Sequence, residues 1–169
     1  YMGTLQQAED NLYKLNVILL GKPGTGKSTV GNILGRFYAY TGLLATPVPP
    51  NYIGGTIGAA DLIGSHVGMT AAKTRQKLLQ HLEQVCFIDE AYQATRGWQT
   101  PESSYGGEVS TEIVQFVSEH RGMVAIIAAG YADEMQKEFI KSNPGIPRRF
   151  PVRITLHLKM KVYLERAFE

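Results

Sequence analysis

Short continuous apolar runs alternate along this chain with segments whose apolar residues recur every three or four positions. That alternation predicts an α/β domain built around a parallel sheet. Residues 16–20, 85–88 and 123–129 read as buried strands. Residues 152–158 alternate, with Ile154, Leu156 and Leu158 on one side, and predict a last strand. Residues 52–57 predict a weaker one, because Gly54 and Gly55 interrupt it. Helical spacing predicts a helix opening near Ser28, with Val30, Ile33, Leu34 and Phe37 on one face. A second is predicted over 71–83, with Thr70 as its N-cap and Ala71, Leu78, Leu79 and Leu82 sharing a face. Val109, Ile113, Phe116 and Val117 mark a third, and residues 132–141 a fourth that stops before Asn143-Pro144-Gly145. Residues 42–50 and the polar stretch 92–107 read as loops. No internal repeat, low-complexity tract or clear domain boundary interrupts the pattern.

Composition narrows the class without naming a function. At 169 residues, with 44% hydrophobic and 19% charged, the chain fits one globular domain with a sizeable core. A net charge of +2 is too balanced to announce nucleic acid or a membrane surface. No apolar run approaches the roughly 18 residues that span a bilayer. Glu9 and Asp10 stand where a signal peptide would place its apolar segment. Cys86 is alone, which rules out an internal disulfide and favours a reducing, cytoplasmic or otherwise intracellular setting. Inside an apolar run, it reads as a small core residue. His81 and His120 lack partners at metal-ligand spacing, and Lys73, Arg75 and Lys77 read as a solvated helix face. Beginning at Tyr1 rather than Met, the chain reads as a piece of something longer.

Chemistry enters at Gly21-Lys22-Pro23-Gly24-Thr25-Gly26-Lys27-Ser28, which fits G-x-x-x-x-G-K-[ST] at every fixed position. An apolar strand precedes it and a helix follows, the context in which glycines aim several backbone N–H groups at one anion. Lys27 supplies a point charge for β- and γ-phosphates, and the Ser28 hydroxyl can ligate Mg²⁺. A turn that bound nothing would not need Lys27-Ser28 after Gly26.

The run 85–90 then places Asp89 and Glu90 at the C-terminal end of a buried strand, the edge of an open parallel sheet where ligands bind. Asp89 is placed to hold Mg²⁺ through water, and Glu90 to orient and deprotonate a water attacking the γ-phosphate. Taken alone, the pair would read as an N-cap and a solvated charge; beside the phosphate loop, that reading becomes the minority one. No N-K-x-D guanine-reading sequence occurs. A small-molecule kinase has no need of a water-activating Glu beside the metal Asp, so the pair argues for ATP hydrolysis.

These residues resemble the AAA+ ATPases, and within them the CbxX/CfxQ family, over residues 16–151. The resemblance rests on residues 21–30 with Thr29 beside Ser28, Ala60-Asp61-Leu62-Ile63-Gly64, Val67-Gly68 with Thr70, and Phe87-Ile88-Asp89-Glu90-Ala91-Tyr92. It rests equally on Ala129-Gly130-Tyr131 with Asp133-Glu134-Met135, and on residues 143–151. It implies a P-loop NTPase three-layer sandwich with a central parallel five-stranded sheet, in which the strand at 123–129 lies between the phosphate-loop strand and the Asp89 strand. It implies ATP/ADP and Mg²⁺ as cofactors, with Pro23, Gly24, Thr25, Gly26, Lys27, Ser28 and Thr29 holding nucleotide. It implies a homo-hexameric ring in the full-length protein, in which an arginine of one subunit completes the neighbour's site. Arg149 matches that position and Arg148 is a second candidate beside it. The class grips a threaded polypeptide with an aromatic-apolar-Gly triplet; here the triplet is His66-Val67-Gly68. Many members place Asn at the end of the central strand to touch the attacking water; Gly130-Tyr131 occupies that region, leaving Tyr131 or Asp133 for the part.

AAA+ modules carry a helical lid after the last core strand, and most of it is missing here. We therefore expect a nucleotide-binding core over residues 1–158 and a lid's first helix or a stub over 159–169. The isolated chain is expected to bind nucleotide weakly, to turn over slowly and to be monomeric. The sequence reading is Mg-dependent ATP hydrolysis coupled to remodelling of a protein client of unknown identity, with no membrane or nucleic-acid partner. Its rivals are a nucleotide-dependent assembly module with little turnover and a small-molecule phosphotransferase.

Overall fold

A computed structural model describes residues 12–44, 56–66, 68–97, 99 and 105–157. Val67, Trp98, Leu158, residues 159–169 and most of the weak strand at 52–57 lie outside them. A 3₁₀ turn, Tyr13–Leu15, leads into β1 (Val17–Gly21), the glycine loop and α1 (Lys27–Tyr40). There follow β2 (Thr56–Ile57), α2 (Ala59–Leu62), α3 (Thr70–Leu79), β3 (Val85–Ile88), α4 (Tyr92–Thr95), α5 (Tyr105–Glu119) and β4 (Ala125–Gly130). Helix α6 (Ala132–Glu134) runs on without a break as a π-helical segment, Met135–Ile140, before α7 (Ile146–Arg149) and β5 (Val152–Leu156).

The five strands form one sheet in the order β2-β3-β4-β1-β5, every neighbouring pair parallel. β4 therefore lies between the phosphate-loop strand and the acidic strand, as the resemblance implies. Because side chains alternate across a strand, each apolar run feeds two cores. Val17, Leu19, Val85, Phe87, Ala125, Ile127 and Ala129 pack on the face covered by α1 and Tyr38. Ile18, Cys86, Ile88, Ile126 and Ala128 pack on the other, against Leu78 of α3, Val109, Ile113, Phe116 and Val117 of α5, and Phe139 and Phe150. This is the three-layer sandwich.

Several local expectations are corrected. On α1, Val30 and Leu34 pack toward the core, but Ile33 and Phe37 are 60% and 55% exposed. The face that meets the sheet is centred on Gly31, Gly35 and Tyr38. A methyl at Gly31 would lie 2.7 Å from the Phe87 ring and one at Gly35 3.3 Å from Val85, so the missing side chains are what let the helix settle onto β3. Hydrophobic periodicity cannot register a contact made by glycine. On α3, Thr70 is the first helical residue rather than the cap, and its buried Oγ1 accepts the Gly64 N–H at 3.1 Å. The helix stops at Leu79, and Leu79 is exposed while Thr70, Thr74 and Leu78 face inward.

The polar stretch after β3 is not all loop: Tyr92, Ala94 and Thr95 of α4 are buried, and α5 already starts at Tyr105. Apolar burial by these few residues outweighs the polar composition around them. Lys73 and Arg75 are not merely solvated. Lys73 Nζ donates to the Ala60 and Ile63 carbonyls (2.6 and 2.8 Å), and Arg75 pairs with Glu112 and Glu119 of α5 (2.6 and 2.8 Å). Cys86 is fully buried, as expected. Among the described residues, no helix is long and apolar enough to cross a membrane, and no group of three or more metal-ligating side chains gathers.

Candidate nucleotide site

The loop between β1 and α1 takes its shape from two left-handed glycines, Gly24 (φ 74°) and Gly26 (φ 86°). L-residues with a Cβ adopt that conformation at a cost of roughly 1 kcal/mol or more, which is why glycine stands at both. A Cβ at either would touch nothing within 4 Å, so it is the backbone conformation and not crowding that calls for glycine. Thr25 braces the turn, its hydroxyl donating to the Lys22 carbonyl at 2.8 Å, and the close approach of Thr25 is possible only because Gly21 has no side chain. Helix α1 starts directly from Gly26, so its first unpaired N–H groups and the positive end of its dipole point where the loop opens.

Pro23, Gly24, Gly26, Lys27, Ser28, Thr29, Asp89, Glu90 and Tyr131 line one cavity of about 360 Å³. The fold thus brings the loop together with both acids across the intervening strand β4. Lys27 is only 8% exposed. Its Nζ donates to the Gly21 and Lys22 carbonyls at 3.0 and 3.3 Å and sits 5.3 Å from the centre of the Tyr131 ring. Lone-pair and π-face partners hold the ammonium at the cavity wall without neutralising its charge, which leaves that charge available to an anion.

The acids sit on a bend. Asp89 Oδ1 accepts the Glu90 N–H at 3.0 Å, and Glu90 itself has φ 48°, a left-handed residue that is not glycine. The strained backbone turns Glu90 out of the strand direction while Ala91 N–H returns to the Ala129 carbonyl at 3.0 Å. Glu90 Oε2 is buried and has no hydrogen-bond partner among the described residues. An orphaned carboxylate oxygen beside a buried ammonium and an open amide cradle fits a magnesium-bound triphosphate with its water. In such a complex the Ser28 hydroxyl and Asp89 would hold the metal, and the loop amides and Lys27 the phosphates.

Tyr92 was assigned no role by the sequence pattern, yet it is buried two residues beyond Glu90. Burial first, and then the neighbouring Glu90 carboxylate, push its phenol up to about 12. Its ring lies 5.8 Å from that of Tyr131, tilted by 34°. Gly130 makes room for it: a Cβ there would stand 2.9 Å from Tyr92 Cδ1 and 2.8 Å from Met135 Sδ. The only signal in the sequence was the place of Tyr92 at the end of the acidic motif.

Other candidate residues lie elsewhere. Asp133 lines a separate, mostly apolar cavity of about 870 Å³ between the glycine loop and the end of β5, so of the two sensor candidates only Tyr131 faces the acids. His66 is exposed, with Nδ1 2.8 Å from Ser65 Oγ; Val67 is outside the described residues. Arg149 is far from its own glycine loop. Its carbonyl accepts Asn16 Nδ2 at 3.1 Å, just before β1 begins, whereas the loop follows the end of that strand. Asn16 Oδ1 also accepts the Ile126 N–H at 2.8 Å, tying α7 to the starts of β1 and β4. The Arg149 guanidinium binds Ser118 Oγ and lies 5.7 Å from the centre of the Tyr13 ring; Arg148 beside it is exposed.

Comparison with known proteins identifies the family and the fold. The family described as "ATPase family associated with various cellular activities (AAA)" matches residues 17–157. Stage V sporulation protein K of Bacillus subtilis (strain 168) is 36% identical over 142 residues, 83% of this chain and 41% of that protein. Protein CbbX of Cereibacter sphaeroides is 35% identical over 161 residues, 92% of this chain and 47% of that protein. The chloroplastic ribulose bisphosphate carboxylase/oxygenase activase of Cyanidioschyzon merolae (strain NIES-3377 / 10D) is 38% identical over 140 residues, 80% of this chain and 43% of that protein. The chain thus spans less than half the length of these relatives. In structure it is similar to the FIGL-1 AAA domain crystallised with ADP, at a TM-score of 0.54 and 21% identity, covering 86% of this chain and 44% of that one.

Proposed function

Since the chain belongs to the AAA ATPase family, among CbxX/CfxQ-type members, we propose that it binds ATP with Mg²⁺ and hydrolyses it to drive a change of shape in a protein client. The observation that carries this reading is the shared cavity of Lys27, Ser28, Asp89 and Glu90, with an oxygen of Glu90 that is buried and unpartnered among the described residues. Magnesium supplies charge neutralisation at the phosphates and a fixed geometry for in-line attack. Glu90 takes the proton of the attacking water, Lys27 and the amides around Gly24 and Gly26 hold the phosphate oxygens, and Tyr131 faces the same space. We assign residues 1–158 to the nucleotide-binding core. The full-length protein works as a homo-hexamer. Arg149 or Arg148, at the opposite end of β1 from its own loop, then serves a neighbouring subunit.

The test compares Lys27→Ala and Glu90→Gln in the full-length protein. Lys27→Ala is expected to lose nucleotide affinity. Glu90→Gln is expected to keep that affinity and lose hydrolysis by about 100-fold or more, the usual worth of a general base. Wild-type phosphate release from Glu90→Gln would refute the hydrolytic role of that residue.

A further inference from the structure

Before β1 the chain makes a short turn, Tyr13 to Asn16, whose contacts converge on Arg149. Asn16 is 1% exposed; its Nδ2 donates to the Arg149 carbonyl at 3.1 Å, and its own N–H returns to the Tyr13 carbonyl at 2.9 Å. The buried Tyr13 ring has its centre 5.7 Å from the Arg149 guanidinium, within the range of a cation–π contact. A second guanidinium, that of Arg121, lies 5.5 Å from the same ring centre. One turn therefore grips Arg149 twice, at its backbone and at its charged end.

The chemistry of that grip is selective. Among the described residues the Arg149 guanidinium meets a hydroxyl, Ser118 Oγ, and an aromatic ring, but no carboxylate. Arg75 on α3, by contrast, is paired with Glu112 and Glu119. An acid beside Arg149 would also hold it, but would neutralise it and compete with any outside anion. A π face orients a cation and leaves its charge available. The phosphate loop lies at the other end of β1, five residues on, so a change confined to the Tyr13 ring leaves the chain's own nucleotide contacts in place.

We propose that Tyr13 is a positioning residue for Arg149: its ring holds the guanidinium in the orientation from which it meets a neighbouring subunit's phosphates, without neutralising it. This rests on the reading that Arg149 serves a neighbour. Tyr13 itself touches no nucleotide and acts only through the arginine.

The experiment uses the full-length protein with Tyr13 replaced by Phe, which keeps the electron-rich face, or by pentafluorophenylalanine, which keeps the ring's shape and reverses the charge on its face. Tyr13→Phe is expected to hold kcat within about twofold of wild type and the fluorinated variant to lower it about fivefold, the range open to one half-buried cation–π contact. Both should bind a fluorescent ATP analogue within about twofold of wild type, because only an interaction made in the transition state is removed. The fluorinated protein is then mixed with Glu90→Gln subunits, so that one kind supplies the base and the other the well-placed arginine. About a quarter of the sites in randomly mixed rings join the two, and hydrolysis should rise about threefold above the mean of the unmixed preparations.

Equal kcat for the Phe and fluorinated variants overturns the proposal. So does a fluorinated protein that loses nucleotide affinity and thermal stability along with its rate, which marks a packing role. A mixture with Glu90→Gln that gains nothing, while Arg149→Ala mixed with Glu90→Gln does gain, overturns the role of Tyr13 and leaves that of Arg149 intact. Should the Arg149→Ala mixture gain nothing either, Arg149 does not act across the subunit boundary and the proposal falls with it.

Discussion

Arg149 donates through both Nε and Nη2 to a single acceptor, Ser118 Oγ, at 3.1 and 3.0 Å. The Ser118 hydroxyl itself donates a hydrogen bond to the Val114 carbonyl one turn earlier in α5, at 2.6 Å. With the Tyr13 ring close to the guanidinium, the arginine is held in one orientation by contacts within its own chain. Pre-orientation of this kind reduces the entropy lost when a cation engages a phosphoryl group.

Replacing Ser118 by Ala should therefore cost about 1 kcal/mol of stability and slow hydrolysis several-fold without changing nucleotide affinity. Arg149→Ala should slow it about 1000-fold if this arginine, rather than Arg148, acts across the subunit boundary. Denaturant titration and steady-state phosphate release on the assembled protein check both, with Arg148→Ala as the comparison.

Gly31→Ala should destabilise the domain by about 1–3 kcal/mol, because the added methyl would overlap the buried Phe87 ring. Ile33→Ala, on the exposed side of the same helix, should stay within about 0.5 kcal/mol of wild type. Urea unfolding midpoints distinguish the two sides of α1.

Acid should weaken the α3–α5 junction. Hydrogen bonds from Arg75 first and Gln115 next hold the Glu119 carboxyl below its ordinary 4.5. A depressed carboxyl releases its proton more readily in the folded state, so its contribution is present above pH 4.5 and lost as pH falls through the lower folded value. Thermal midpoints of wild type and Glu119→Gln should differ at neutral pH and converge as the solution is acidified below 4.5.

Cys86 offers a probe of global opening. Burial pushes its thiol up to about 12, and the side chain is fully enclosed in β3. Thiol reagents should leave the native protein unmodified and label it at a rate that follows denaturant-induced unfolding; rapid labelling in native buffer would contradict this.

The glycine loop was legible because its chemistry is local: Gly24, Gly26, Lys27 and Ser28 carry the signal within a few positions, and β1 before them is an unbroken apolar run. Asp89 and Glu90 were legible for the same reason. Contacts across the fold were not. The meeting of Gly31 with Phe87 depends on a side chain that is absent, and the bond from Arg149 to Ser118 joins residues 31 apart in sequence. Tyr92 and Gly130 are matched to each other only through the pairing of β3 with β4, so neither could be given a partner from its own neighbourhood. Thr70 was misplaced by the same limitation: its hydroxyl serves the turn at Gly64 instead of the helix start.

Strand order sets when the pocket can come into being. β1 and β3 never touch, because β4 lies between them. On a ribosome the glycine loop is made first and the acids some sixty residues later, yet neither has a fixed distance to the other until residues 125–130 have emerged and slotted into the gap. A nascent chain halted before that point can carry both halves of the cradle and still grip no nucleotide, so capture of ATP would mark the moment at which the middle of the sheet closes.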